Sequence, residues 1–249
     1  MKAKVLSVYD GGALEDTPYI GAEGFSVLVE VDGQRTLFDT GLRGRYLVHN
    51  LDFLEIKPDT IDRVVISHNH KRNIGGLWKL LENRTKPLDV YVNGSFQSMK
   101  KLFNRPLFSE DESSKINIHV MEGNTRFSDN LMAVGPFGKF EEFSLVLSSV
   151  NGPVVISSCY HCGTRCVLTE VESVFGKNPH YMIGGLHIRR PNQECVDPTV
   201  DVIKSFGSPR MSMCHCADYG SKTFLRVRLN LKNVEDFYVG TQLDFEVDG

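Results

Sequence analysis

Val64-Val65-Ile66-Ser67-His68-Asn69-His70-Lys71-Arg72-Asn73-Ile74-Gly75-Gly76-Leu77 is the stretch on which the reading of this chain turns. Two valines and an isoleucine in succession read as a short buried strand. The strand ends at Ser67, and two histidines follow with one residue between them. A His-x-His pair just past a strand end aims two imidazoles at one point, and imidazole suits zinc, iron and other borderline cations. The pair therefore predicts a metal site at His68 and His70.

The rest of the chain sets the frame for that site. Its 249 residues fit one large domain or two small ones, and are read here as a single domain over 1–249. The hydrophobic fraction of 41% and charged fraction of 24% are those of a globular protein. A net charge of −3 argues against a nucleic-acid partner or a membrane-surface patch. No apolar stretch approaches the roughly 20 residues of a membrane-spanning helix. Met1 to Leu6 moves straight into a strand-like run without a signal-peptide pattern, so a cytoplasmic location is expected. Whether the chain forms a homo-oligomer stays open.

Strand signals lie at Lys4–Tyr9, Phe25–Val31, Thr36–Phe38, Arg63–Ser67, Val90–Val92, Ile116–Met121, Leu145–Ser148, Val154–Ser157, Met182–Ile183 and Met211–Met213. Asp32-Gly33 marks a hairpin turn between the second and third. Helical spacing appears at Leu77, Leu80 and Leu81, at Met99, Leu102 and Phe103, and over Thr164–Phe175 with Gly176 as a stop. Asp197-Pro198-Thr199 predicts an N-cap and first turn, with Gly207 closing that helix. Glu110–Lys115 is polar and reads as a loop. Val64-Val65-Ile66-Ser67 recurs as Val154-Val155-Ile156-Ser157, and Gly75-Gly76-Leu77 recurs as Gly184-Gly185-Leu186. The shared order suggests two similar α/β halves, each delivering histidines from strand ends to a common cleft.

Five histidines follow strand-like runs or Gly-Gly turns: His68, His70, His161, His187 and His215. Three imidazoles with water in the fourth position make a catalytic zinc site, in which the water's pKa falls to about 7. His187 is as readily a structural residue as a ligand. His49, His119 and His180 read as structural.

These blocks together carry a resemblance. The chain is similar to the metallo-β-lactamase superfamily, and within it to the subgroup named after the dihydropterin–ribofuranosylaminobenzene phosphate synthases. Ala22-Glu23-Gly24-Phe25-Ser26 resembles the subgroup's opening strand, with Ala-Glu-Gly where Glu-His-Gly is usual. Leu37-Phe38-Asp39-Thr40-Gly41 resembles the superfamily's Asp-Thr-Gly turn. Ser67-His68-Asn69-His70 resembles the first half of the metal motif, and Ser158-Cys159-Tyr160-His161 the Gly-Cys-Ser-His block. Ile183-Gly184-Gly185-Leu186-His187 and Cys214-His215-Cys216 resemble the two later blocks. The resemblance implies an α/β fold, a four-layer αββα sandwich with two facing mixed β-sheets. It implies that His68, His70 and His161 hold the first metal and that Asp39 orients a ligand.

The family pattern His-x-His-x-Asp-His breaks at its end, where Arg72 and Asn73 stand in place of two ligands of the second metal. A guanidinium has only donors and a fixed positive charge, so it cannot ligate a cation. Asn73 offers at best a carbonyl oxygen. The second site is expected to be absent or weakened, which leaves His215, its other family ligand, without its usual partner. Arg72 instead suits an anionic substrate group, gripped in forked geometry. With the motif aspartate gone, His215 is the remaining titratable candidate for proton transfer.

All six cysteines fall in the second half: Cys159, Cys162, Cys166, Cys195, Cys214 and Cys216. In a cytoplasmic protein they read as thiols. Cys214 and Cys216 bracket His215 and would face the interior, and Cys162 or Cys216 could supply a soft ligand to a rearranged second site. The expectation is a metal-dependent hydrolase with one ion, zinc first and iron or manganese next, acting on an anionic small molecule that carries phosphate or carboxylate. The residues expected to serve catalysis are His215, Arg72 and Asp39. The competing reading is a binding or regulatory protein that keeps the fold, and a third is iron-dependent redox chemistry. Substrate selection is expected in the insert-like segment 96–124.

Overall fold

The computed structural model describes residues 1–97, 101–102, 105–106, 108–188, 193–214, 216–217 and 219–249. Two compact units emerge. An N-terminal unit holds residues 3–123 and 238–244, and a C-terminal unit holds 1–2, 124–237 and 245–249.

In chain order the first unit gives β1 (Lys2–Tyr9), β2 (Ser26–Val31), β3 (Gln34–Phe38), α1 (Gly44–Phe53), β4 (Arg63–Val65), α2 (Lys71–Ile74), α3 (Leu77–Glu82), β5 (Leu88–Val92), α4 (Gly94–Gln97), the small hairpin β6 (Lys101–Leu102) and β7 (Arg105–Pro106), α5 (Glu110–Ser114) and β8 (Ile116–Val120). The second gives β9 (Thr125–Arg126), β10 (Leu131–Phe137), β11 (Glu142–Ser149), β12 (Gly152–Ser157), α6 (Thr164–Phe175), β13 (Tyr181–Gly184), α7 (Gln193–Ser205), β14 (Arg210–Met213), α8 (Tyr219–Leu229) and β15 (Val234–Asp236). The last strand is β16 (Gln242–Glu246).

Two seven-stranded mixed sheets result, ordered β16-β1-β2-β3-β4-β5-β8 and β15-β14-β13-β12-β11-β10-β9. Each has an antiparallel part, where hairpins suffice, and a parallel part, where crossovers bring in helices. The β2–β3 hairpin forms as expected: Asp32 (φ 53°) and Gly33 (φ 72°) turn the chain between the paired Val31 and Gln34. From β3 onward, β4, β5 and β8 run parallel, as do β12, β13, β14 and β15.

Each unit has its own core. In the first, Leu28, Leu37, Val64, Ile66 and Val90 pack with Leu47 and Leu51 of α1 and Leu77, Leu80 and Leu81 around α3. In the second, Val146, Val155, Met182 and Met211 pack with Val167, Leu168 and Val171 of α6 and Val200 and Ile203 of α7. Gly176 closes α6 in the left-handed conformation (φ 65°), as the sequence predicts. No helix among the described residues is long and apolar enough to cross a membrane.

Several local readings change. Glu110–Ser114 is a helix, not a loop: Ser109 Oγ accepts from Glu112 N (3.3 Å) and Glu112 Oε2 accepts from Ser109 N (2.7 Å). This capping box was present in the sequence as Ser-x-x-Glu. The helix expected around Met99–Phe103 is a strand at Lys101–Leu102, and Met99 and Phe103 lie outside the described residues. Helix α7 begins at Gln193, so Pro198 sits inside it instead of at its first turn. The segment 96–124 includes β8, a full member of the first sheet. The Val-Val-Ile-Ser echo is also not a positional match. Residues 64 and 65 lie in the second parallel strand of their sheet, with 66 and 67 just past its end, whereas 154–157 lie in the first of theirs. The units share a sheet plan, but the short repeat that suggested it is out of step with that plan.

Candidate functional site

In the N-terminal unit the site begins at the end of β3. Asp39 is fully buried and adopts a left-handed conformation (φ 61°), which non-glycine residues adopt at a cost of about 1–2 kcal/mol. Its carboxylate repays that strain with three bonds. Oδ1 accepts from Ser67 N (2.8 Å), and Oδ2 accepts from Ser67 Oγ (2.8 Å) and Asn73 Nδ2 (2.6 Å). Ser67 Oγ lies 2.9 Å from His68 Nδ1, and His68 Nε2 lies 2.9 Å from His70 Nδ1. The hydroxyl has one proton and it faces a carboxylate, so it donates to Asp39 and accepts from His68 Nδ1–H. That assigns His68 the tautomer whose Nε2 carries a lone pair, the state a metal ligand needs. The two rings meet edge to face, centroids 4.4 Å apart.

The broken end of the motif is built into the same turn. Asn73 is buried and its amide is spent on Asp39 and on Ser67 Oγ (3.2 Å). Its carbonyl accepts from Thr40 N (2.6 Å) and Thr40 Oγ1 (2.9 Å). The Asn73 side chain is therefore a brace for Asp39. Arg72 turns away to Glu23 (2.6 Å), with the two side chains 36% and 52% exposed. Gly76 allows this turn to close, because a Cβ there would run into the carbonyl oxygen of Thr40 and into Leu47.

In the C-terminal unit the sequence reading missed the central residue. Glu142, at the start of β11, is fully buried. Its Oε1 accepts from Tyr160 N (3.1 Å) and Cys159 N (3.3 Å), and its Oε2 from His161 N (2.7 Å). Burial pushes this carboxyl above the usual range, and the three amides pull it part of the way back. Glu142 lies about twenty residues from the turn it holds, in an ordinary strand, and no motif marks it. The His161 ring sits 4.5 Å from Phe140 and 4.5 Å from His187.

Thiols surround this turn. Cys159, Cys162, Cys166, Cys214 and Cys216 form no disulfide, and Cys159, Cys214 and Cys216 are buried. The inward facing expected of Cys214 and Cys216 is what the structure shows. Cys159 Sγ lies 3.2 Å from Cys216 Sγ, and a His187 ring nitrogen falls within 4.8 Å of both. His187 thus joins the thiol pair and the His161 ring. His215 and the side chain of Cys195 lie outside the described residues. His49 bonds Pro18 O (2.9 Å), His119 pairs with Asp89 (3.0 Å) and His180 packs on Tyr181, the structural roles expected of them.

The donor chemistry of the first unit fits a metal. Two nitrogens that bind zinc at about 2.0–2.1 Å in a tetrahedron are about 3.3 Å apart, close to the 2.9 Å between His68 Nε2 and His70 Nδ1.

Known proteins share this plan. Residues 21–132 match the family model for the metallo-beta-lactamase superfamily. The chain is 22% identical to the 7,8-dihydropterin-6-methyl-4-(beta-D-ribofuranosyl)-aminobenzene-5'-phosphate synthase of Methanocaldococcus jannaschii, over 87% of this chain and 88% of that protein. Among solved structures it is similar to a metal-dependent hydrolase of the beta-lactamase superfamily (TM-score 0.78, 22% identity, 97% of this chain and 98% of that one). It is also similar to a diphosphatase of the PhnP family (TM-score 0.68, 15% identity, 99% and 98%). The two structures carry the fold, and the family model covers the Asp39 and His68–His70 turns. Through that fold and those turns, the chain is similar to the metallo-beta-lactamase superfamily.

Proposed function

We propose that this protein is a metal-dependent hydrolase acting on an anionic small molecule, with a catalytic ion held at His68 and His70. The observation that carries this reading is the bonded series Asp39–Ser67–His68–His70, which fixes the His68 tautomer and sets its Nε2 lone pair beside His70 Nδ1. A bound ion of this kind would lower the pKa of its water to about 7 and polarise a substrate oxygen. The protein's part is to fix the imidazoles and to bind the anion. Arg72 performs the second task with its forked donors. Its half-exposed pair with Glu23 is weak enough, roughly 0–1 kcal/mol, to yield to a phosphate or carboxylate. A phosphate-bearing substrate accords with the names of the methanogen synthase and the PhnP-family diphosphatase. Asn73 on Asp39 and Arg72 on Glu23 favour a mononuclear site, since both former ligand positions are engaged elsewhere. His215 is the proposed proton carrier. A cytoplasmic location suits cysteines that form no disulfide.

Metal analysis and chromogenic phosphate esters test the reading together. Zinc bound at the imidazoles is expected, with ester hydrolysis lost in His68→Ala and its pH profile altered in His215→Ala. No metal after zinc supplementation, or full activity in His68→Ala, would falsify it. The same brace on Asp39 and pair on Arg72 also favour a second reading, a binding protein without catalysis. Phosphate binding with neither metal nor turnover would select that one.

A further inference from the structure

We propose that Cys159, Cys216 and His187 form a second cation site, a two-thiolate, one-imidazole set for an ion of the zinc class. The three donors belong to the C-terminal unit, and the inference does not rest on the His68 and His70 reading above. The Cys159 and Cys216 sulfurs are 3.2 Å apart. That is too long for a disulfide at about 2.03–2.05 Å. It is also closer than the roughly 3.5–4.0 Å at which even smaller carbon atoms pack. One thiol donates to the other across this distance, and the bond holds the two sulfurs side by side.

Two thiolates at about 2.3 Å from a tetrahedral zinc stand about 3.8 Å apart, so a small parting of this pair admits the ion. The ligand atoms of all three residues already lie within 4.8 Å of one another. Soft sulfur with imidazole selects zinc and its neighbours over magnesium or calcium. Two thiolates also neutralise a divalent charge, which suits a pocket where both sulfurs are buried. Each thiol gives its proton to solvent as it binds.

The surroundings are shaped for this set. Gly185 makes room for Cys216, because a Cβ there would collide with the Cys216 Cβ. Glu142 Oε1 holds the Cys159 amide (3.3 Å). His187 keeps a left-handed backbone (φ 53°), a strained conformation of the kind found at ligand sites. It is exposed, so it supplies the route by which an ion enters and a water completes the fourth position.

Cobalt(II) is the probe. The reduced, chelator-treated full chain carrying His68→Ala and His70→Ala keeps this set and loses two imidazoles of the other. It should bind cobalt with a near-ultraviolet thiolate-to-cobalt charge-transfer band. Cys159→Ser or Cys216→Ser in that background should abolish the band, His187→Ala should weaken binding at least tenfold, and the exposed Cys166→Ser should leave it unchanged. Absence of the band, or its survival in Cys159→Ser, overturns the proposal. X-ray absorption on the zinc-loaded wild-type chain needs no variant. Sulfur neighbours at about 2.3 Å support the site, and a shell of nitrogen and oxygen alone overturns it.

Discussion

Asp39 and Glu142 are both fully buried carboxylates, and each holds a histidine turn in its own unit. Asp39 reaches its turn mainly through side chains: the hydroxyl of Ser67, the amide of Asn73 and, one bond further, the ring of His68. Glu142 reaches its turn through the main chain, taking the amides of Cys159, Tyr160 and His161. The first arrangement sets the tautomer and direction of an imidazole. The second sets only the path of the backbone and leaves the His161 ring to its neighbours Phe140 and His187. One carboxylate therefore orients side chains and the other the backbone.

The largest effect should come from the second carboxylate. Glu142→Ala strands three amides and opens a cavity, and should cost about 3–5 kcal/mol in denaturant unfolding. A loss below about 1 kcal/mol would break the contrast. Asp39→Asn should cost less, about 2–3 kcal/mol, yet weaken metal binding on the order of 10–100-fold. Unchanged affinity in calorimetric titration would mean that the bonded series does not orient His68.

Arg72→Ala tests the edge of the first turn. Stability should move by under about 1 kcal/mol, since the Glu23 pair is half exposed. Hydrolysis of anionic esters should fall on the order of 10–100-fold through loss of a charged hydrogen bond. Equal kcat/KM in the variant would remove Arg72 from substrate binding.

The smallest effect is in pH. The Glu142 carboxyl is raised by burial, so the folded state holds its proton more tightly than the unfolded chain does. Its contribution to stability is fully present below about pH 4.3, the ordinary glutamate value, and is lost as pH climbs through the raised value. Glu142→Ala should flatten that part of the stability–pH curve. A curve of the same shape in the variant would show that the slope comes from other groups.

The residues read most easily were those whose chemistry is local in sequence. His68, His70 and Asp39 stand in short blocks, and the turn at Asp32-Gly33 needs only two residues able to take positive φ. Ser109-x-x-Glu112 was equally local and was overlooked in favour of the polar composition around it. Glu142 was not legible, because accepting backbone amides requires no particular partner side chain. Pro198 inside α7 and the strand at Lys101–Leu102, paired with Arg105–Pro106, depart from the local pattern.

By itself the sequence determined the alternation of strands and helices, the imidazole motif and the break at Arg72-Asn73, because periodicity and side-chain chemistry are properties of neighbours along the chain. Only the tertiary structure decided what the broken positions do: Asn73 braces Asp39, Arg72 pairs with Glu23, and two sulfurs 57 residues apart come to 3.2 Å. The reason is physical. Hydrogen bonds and sulfur contacts act over about 3–4 Å, and which distant groups come that close is settled by how the strands are ordered and how each core packs.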